Sequence, residues 1–179
     1  PHDLAPETKW FDMAQASINA IREVDTNTLI MVGGNDWSSA ERWIEQSDTL
    51  KFLKDPANNL AFEAHVYFDK DASGTYKYSY EEEECYPEKG IDRVKPFVEW
   101  IKQNKFHGFI GEYGIPDNDP RWNETLDLFL GYLQENGING TYWAAGPWWD
   151  TYFMAITPKD GKDRPQMPII EKYTRTLKK

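Results

Sequence analysis

The chain has 179 residues, enough for one domain with a real hydrophobic core, and a formal net charge of −10. The acidic balance argues against nucleic acid and anionic membranes as partners, since both need a basic face on the protein. The sequence contains no run of 18 apolar residues, so no membrane span is predicted. Aromatic residues make up 15% of the chain, and they suit either core packing or flat platforms for sugar rings in a carbohydrate-binding groove.

Strand and helix patterns alternate along the chain. Four strands are predicted, at 28–32, 60–68, 106–113 and 141–145. Helices are predicted at 10–24, 40–53 (one or two short helices), 91–101, 120–136 and 168–177. Pro96 fits the third of these only if it lies in the first helical turn. A long polar loop is expected at 69–90, where Asp69 and Asp71 suit either contacts with sugar hydroxyls or turn formation.

This strict alternation predicts an α/β fold with parallel strands and helices outside them. A complete (β/α)8 TIM barrel needs ~250 residues, so four units match about half of one. The chain opens with Pro-His-Asp and a helix, as though a strand had just ended. We therefore expect residues 1–179 to form the C-terminal half of a single barrel domain. A small four-stranded open sheet is the alternative, although it would leave both parallel edges exposed.

Glu112 stands in Gly-Phe-Ile-Gly-Glu-Tyr-Gly, where an apolar strand ends in a carboxylate flanked by glycines. An α/β barrel places its chemistry at the C-terminal tips of its strands, and glycines let other backbone or a ligand come close. The segment therefore predicts a displayed acid. A structural glutamate paired with a nearby Lys or Arg fits the same residues.

Parallel strands bring their C-terminal ends to one rim, which collects further candidates. They are Gly34, Asn35 and Trp37 after the first strand, His65 and Tyr67 on the second, and Trp143, Trp148 and Trp149 on the fourth. His65 and Tyr67 are two residues apart and so face the same side of a strand. Each alone fits a structural role, but on the rim that holds Glu112 they indicate a functional site. His107 lies at the opposite end of its strand and is read as structural.

Four segments, in this order, resemble glycoside hydrolase family 5, particularly its endo-β-1,4-glucanases. They are Pro-His-Asp-Leu at 1–4, His-Val-Tyr-Phe-Asp-Lys-Asp-Ala-Ser-Gly-Thr at 65–75, Gly-Glu-Tyr-Gly at 111–114 and Tyr-Trp-Ala-Ala-Gly-Pro-Trp-Trp at 142–149. The resemblance runs the full length of the chain. It covers the second half of the family's barrel, strands 5 to 8.

The resemblance implies a role for each rim residue. Glu112 corresponds to the nucleophile at the end of the seventh strand, His65 and Tyr67 to its supporting residues on the sixth, and Trp143 to the sugar platform on the eighth. Trp37, Trp148 and His2 are expected to contribute to substrate binding. The family's acid/base glutamate lies in Asn-Glu-Pro at the end of the fourth strand. Because this chain starts at that Pro, we expect the acid/base to come from elsewhere.

Retaining hydrolysis needs two carboxyl groups roughly 5 Å apart, one as nucleophile and one as acid/base. Three candidate sources of the second carboxyl are unconvincing: Glu7 in a helix start, Glu63 inside a strand, and 81–84 in a loop. We therefore expect activity only with a complementary N-terminal half-barrel polypeptide. The three His residues are dispersed and lack metal-site spacing, so the reaction is expected to need no metal or cofactor.

These observations predict a secreted, retaining endo-β-1,4-glucanase that acts on β-glucan polysaccharide. Within the same family, mannan, xyloglucan and mixed-linkage glucan are alternative substrates, because loops outside the motifs set that choice. A non-catalytic carbohydrate-binding fragment is the alternative from another class.

Overall fold

The computed structural model describes residues 9–174. Within them lie four strands: β1 (Ile30–Gly33), β2 (Leu60–His65), β3 (His107–Tyr113) and β4 (Asn139–Tyr142). The helical segments of this region are α1 (Trp10–Arg22), α2 (Asn35–Ser38), α3 (Trp43–Ser47), α4 (Lys89–Asn104), α5 (Arg121–Glu135) and α6 (Met167–Tyr173), of which α2 is a short turn with positive φ at residues 36–38. Short 3-10 segments occupy Asp48–Phe52 and Pro147–Trp149. No helix in this part of the chain has the length and apolar character needed to cross a membrane.

The four strands form one sheet in the order β1-β2-β3-β4. β1 and β2 pair in parallel, with Ile30 opposite Leu60 and Gly33 opposite Glu63. Helices separate each pair of consecutive strands along the chain, so the predicted alternation and the α/β class are confirmed.

The chain divides into two compact units. The first contains the described residues up to His65 together with Val94–Gly111, and the second contains Val66–Arg93 together with the described residues from Glu112 onward.

Aromatic side chains form the core of the first unit. The rings of Trp43 and Trp100 are fully buried and meet edge to face with their centroids 5.4 Å apart. Phe62, on β2, packs against Trp100 in the same way at 5.0 Å. The indole Nε1 of Trp100 donates to Asp48 Oδ1 at 2.9 Å, which satisfies the one polar group on that ring.

The core of the second unit is also aromatic. Trp122, on α5, is fully buried between Tyr76 and Tyr80, whose ring centroids lie 5.0 Å and 4.7 Å from its own. Phe68 packs edge to face on Phe129 at 5.2 Å. Long aromatic side chains from the 69–90 loop therefore belong to this core, and the loop is anchored by them.

Two sequence predictions about helices are wrong in detail. α4 begins at Lys89, so Pro96 lies well inside the helix and not in its first turn. Burial of Phe97 and Val98 on the core face outweighs the one backbone hydrogen bond that Pro96 cannot make. The first helix was predicted to run to Val24, yet α1 ends at Arg22 and Val24 is 89% exposed.

The ends of two strands also differ from the prediction. β2 ends at His65, before Tyr67, and β4 ends at Tyr142, before Trp143. Both functional candidates therefore lie just beyond a strand and not within it. Just beyond each strand end the backbone still bonds to β3, because Val66 N donates to the Glu112 carbonyl at 2.9 Å and Trp143 N donates to the Tyr113 carbonyl at 2.8 Å.

Candidate active site

Tyr67 and Glu112 form a hydrogen-bonded pair in the second unit. The Tyr67 hydroxyl donates to Glu112 Oε2 at 2.9 Å. Burial, with the neighbouring Glu112 charge and this hydrogen bond, raises the pKa of the Tyr67 hydroxyl far above its ordinary value. Tyr67 therefore stays protonated as a donor, and it holds the Glu112 carboxylate in one orientation.

Both glycines near Glu112 are closely packed. A Cβ at Gly114 would overlap the carbonyl oxygen of Trp143, and one at Gly111 would overlap the Glu63 carboxylate. The sequence predicted that these glycines let other groups come close. In the structure, those groups are the protein's own backbone and side chains.

A tight loop packs against the ring of Tyr67. Gly74 has a φ of +74°, and a Cβ built on it would lie 3.0 Å from the Tyr67 ring. The buried carboxylate of Asp69 holds this loop, because it accepts from the backbone N–H groups of Gly74 and Thr75, both at 3.0 Å, and from Ser73 Oγ at 3.0 Å. Asp69 is therefore a turn former and not a contact for sugar hydroxyls.

Tyr76 joins the same loop to the segment that carries Glu112. Its hydroxyl accepts from Phe68 N at 2.9 Å and donates to the Gly114 carbonyl at 2.6 Å. Tyr76 is buried, and burial raises its pKa well above the ordinary value. The loop, the Tyr67 ring and the Glu112 backbone are thus held by one continuous set of contacts.

An aromatic cluster follows β4 in the second unit. Trp143 is half-buried, and its ring lies 4.9 Å from that of Trp149, which in turn lies 5.0 Å from Tyr152. Trp148 is 87% exposed. The Trp143–Ala144 peptide bond is cis.

Tyr152 is a further candidate for the site, and no motif in the sequence indicated it. Burial raises the pKa of its hydroxyl, a hydrogen bond from Trp143 opposes that rise, and the Glu112 charge adds to it. Tyr152 therefore lies near both the indole and the carboxylate. It follows the last recognised motif and stands in an irregular segment without periodicity, so no pattern marked it.

The first unit holds Trp37 and His65. Trp37 is 60% exposed and lies in a turn where Asp36, Trp37 and Ser38 all have positive φ, at 53°, 52° and 61°. His65 ends β2, and its Nε2 lies 2.7 Å from Oε1 of Glu63, two residues earlier on the strand. The sequence reasoning placed Glu63 inside a strand and gave it no role.

Two histidines complete the set of predicted positions. His107 begins β3, at the opposite end of the strand from Glu112, and is exposed. His2 lies outside the described residues. Within residues 9–174 no group of three or more His, Cys, Asp and Glu side chains is arranged to hold a metal ion.

Comparison with known proteins gives a consistent result. Residues 1–148 match the family model described as cellulase (glycosyl hydrolase family 5). A probable endo-beta-1,4-glucanase B of Aspergillus kawachii is 38% identical over 178 residues, which cover 96% of this chain and 51% of the relative.

Solved structures show the same relationship. The Pseudomonas stutzeri endoglucanase Cel5A in complex with cellobiose is 45% identical, with a TM-score of 0.85 over 92% of this chain and 49% of that chain. The endo-beta-1,4-glucanase Xac0029 from Xanthomonas axonopodis pv. citri is 34% identical, with a TM-score of 0.85 over 97% of this chain and 56% of that chain. The chain thus spans about half the length of the proteins it matches.

Proposed function

The chain belongs to the cellulases of glycosyl hydrolase family 5, and we propose that Glu112 is the nucleophile of a retaining endo-β-1,4-glucanase. The observation that carries this proposal is the 2.9 Å hydrogen bond from Tyr67 to Glu112 Oε2. A carboxylate held in one orientation by a buried phenol, at the end of a parallel strand, suits attack on a sugar carbon.

The reaction follows from the two-carboxylate chemistry of retaining enzymes. A carboxylate oxygen of Glu112 bonds to the anomeric carbon, the glycosidic C–O bond breaks, and the leaving oxygen takes a proton from a second carboxyl group. Water then attacks the same carbon, gives its proton back to the second group and releases Glu112. Tyr67 keeps the carboxylate oriented through both steps. His65 is assigned a supporting role by the family resemblance.

The aromatic residues suit the binding of β-glucan. We assign Trp143 to stacking against a sugar ring, because the apolar faces of β-linked glucose pack well on indole. The exposed rings of Trp37 and Trp148 are proposed as further contacts with the polymer. The parent enzyme is placed outside the cell, since a glucan polymer is too large to cross a membrane.

We also propose that these four strands are strands 5 to 8 of a (β/α)8 barrel. β1 and β4 are the outer strands of the sheet, and two apolar side chains at β1 are half exposed: Leu29, just before the strand, at 45% and Met31, within it, at 44%. A cavity of about 420 Å³ lies against β4, lined by Leu130, Ile138, Ile170 and the rings of Tyr113 and Tyr142. Four further strands would cover both edges and bring the acid/base carboxyl.

Complementation tests both proposals together. We would mix this chain with a polypeptide that supplies the first four barrel strands and ends in Asn-Glu, and measure reducing-end release from soluble β-1,4-glucan. The mixture should cleave and each fragment alone should not. In the mixture, Glu112→Gln should lower turnover by about 10³-fold or more while binding of the polymer remains.

The controls separate the alternatives. Mannan, xyloglucan and mixed-linkage glucan are assayed in parallel to define the preferred polymer. Activity from this chain alone would contradict the half-barrel assignment. A well-folded mixture that binds glucan without cleaving it would favour a carbohydrate-binding module. Unchanged turnover in Glu112→Gln would assign the nucleophile to another carboxylate.

A further inference from the structure

We propose that Glu63 is a positioning residue for His65, and that the glycine at 111 is required by this pair. The inference rests on the proposed function, because His65 takes its supporting role from that site. Its structural basis lies wholly within the first unit, in four residues: Ser38, Glu63, His65 and Gly111.

The first observation is the carboxylate–imidazole pair itself. Glu63 Oε1 lies 2.7 Å from His65 Nε2, and the two side chains are 19% and 28% exposed. A carboxylate accepts from either form of the ring, so this geometry places a proton on Nε2. A partner of this kind fixes both the tautomer and the orientation of a functional histidine.

The second observation is that Glu63 is itself held in place. Ser38 Oγ lies 3.2 Å from Glu63 Oε2 and donates to the Glu63 carbonyl at 2.5 Å. The same hydroxyl accepts from Gly34 N at 2.7 Å. Ser38 reaches this position from the turn 36–38, whose three positive φ values cost conformational energy. The turn brings Ser38 to Glu63 at this conformational cost, which is expected if the position of the Glu63 carboxylate is important for function.

The third observation is the space at Gly111. The Glu63 carboxylate occupies the volume that any Cβ at 111 would need. Gly111 does not have a positive φ, so backbone conformation does not require glycine there. The close approach of Glu63 therefore explains why glycine precedes Glu112. Glu63 is assigned to orienting His65 and not to proton donation to the leaving group.

Paired substitutions in the complete barrel test the role of Glu63. Glu63→Met keeps the length of the side chain but removes the acceptor, and kcat should fall by about tenfold or more with little change in KM. Glu63→Gln keeps an acceptor and should recover part of that loss. Glu99→Gln makes the same chemical change on the exposed face of α4 and should leave kcat unchanged. Equal kcat in all four proteins would overturn the proposal.

Nitrogen NMR of the imidazole rings provides a readout that does not depend on activity. The chain has three histidines, so its ring signals are few enough to assign. At a pH where imidazoles are neutral, about 8 to 9, His65 should carry its proton on Nε2 in the wild type and in Glu63→Gln. The Nδ1-protonated form should increase in Glu63→Met. A wild-type proton on Nδ1 would refute the pairing, whether or not the barrel hydrolyses glucan.

The steric claim is tested with Gly111→Ala. In the wild-type background the new methyl group should displace Glu63, so kcat should fall and the His65 spectrum should resemble that of Glu63→Met. In a Glu63→Ala background the same substitution meets no carboxylate and should add little further loss. Losses that simply add would show that Gly111 is required for a different reason.

Discussion

Trp143 illustrates how the position of one residue separates a binding role from a core role. It is half-buried and contacts Trp149, whereas Trp43 is fully buried among other aromatic rings. A buried Trp contributes to stability through packing, and a partly open one has a face available for a flat ligand.

Trp143→Ala should therefore raise KM for soluble β-glucan by about tenfold, which corresponds to a typical stacking energy of ~1 to 1.5 kcal/mol. Trp143→Ala should lower Tm much less than Trp43→Ala does, because replacing a buried Trp with Ala costs about 3 to 5 kcal/mol of folding stability. Steady-state kinetics and thermal unfolding of both variants make the comparison. A large fall in Tm with unchanged KM would assign Trp143 to the core.

The ion pair of Arg22 and Asp55 predicts part of the pH dependence of stability. The two side chains are each 2% exposed, with Arg22 Nε 2.7 Å from Asp55 Oδ1. The hydrogen bond from Arg22 holds the pKa of Asp55 well below its ordinary value. A carboxyl group whose pKa is lowered by folding stabilises the folded state at pH values above its unfolded-state pKa of about 4. This stabilisation is lost as the pH falls toward the folded-state pKa.

Asp55→Asn should accordingly lower Tm at pH 7, because Arg22 is left buried without its charged partner. The difference in Tm from the wild type should narrow as pH falls below about 4. Thermal unfolding of both proteins across that range gives the result. A difference that stays constant down to pH 2 would mean that the pair does not set the acid stability.

At the scale of elements, the loop from Asp69 to Tyr76 packs against the Tyr67 ring, which in turn holds the proposed nucleophile Glu112. Gly74 has a positive φ and contacts the Tyr67 ring, while Gly161 has nearly the same φ, +73°, and nothing within 4 Å of its Cβ position. The two glycines therefore share the backbone requirement and differ in what surrounds them.

Gly74→Ala and Gly161→Ala should each lose about 1 kcal/mol of stability, since both force a left-handed conformation on alanine. Only Gly74→Ala should also lower kcat, by about tenfold, because its methyl group displaces Tyr67 from Glu112. Chemical unfolding and kinetics of the two variants measure the effects. Equal kcat in both would show that the loop does not position Tyr67.

The accuracy of the sequence predictions varied from element to element for physical reasons. β3 and α5 were predicted closely, because a continuous apolar run and a capped amphipathic pattern are local signals. The turn at 36–38 was not foreseen, since its left-handed residues are Asp, Trp and Ser and not glycine. Tertiary burial overrode the local rule for Pro96 in α4.

The candidate site shows the same division. Glu112 could be proposed from the sequence because a strand end, two glycines and a family motif coincide. Tyr67 lies beyond the end of β2, where strand alternation no longer applies, so its hydrogen bond to Glu112 does not follow from its spacing to His65. Glu63 and Tyr152 were missed, because their roles depend on side chains that contact them in three dimensions and leave no spacing in the sequence.

At the scale of the whole molecule, the proposed barrel depends on surfaces that this chain leaves uncovered. The half-exposed apolar residues beside β1 and the cavity along β4 both border outer strands of the sheet. Exposed strand edges and apolar patches favour association with further chain. The chain covers about half of each matched protein, which supports the proposal that four further strands complete the barrel.

The central claim is that Glu112 forms a covalent bond to the sugar. A cellobioside with fluorine at C2 and a good leaving group slows the release of that intermediate, so the complete barrel can be digested and analysed by mass spectrometry. The account predicts that the added disaccharide mass lies on the peptide containing Glu112, and that Glu112→Gln shows no adduct. An adduct on another carboxylate, or hydrolysis with inversion and no adduct, would contradict it.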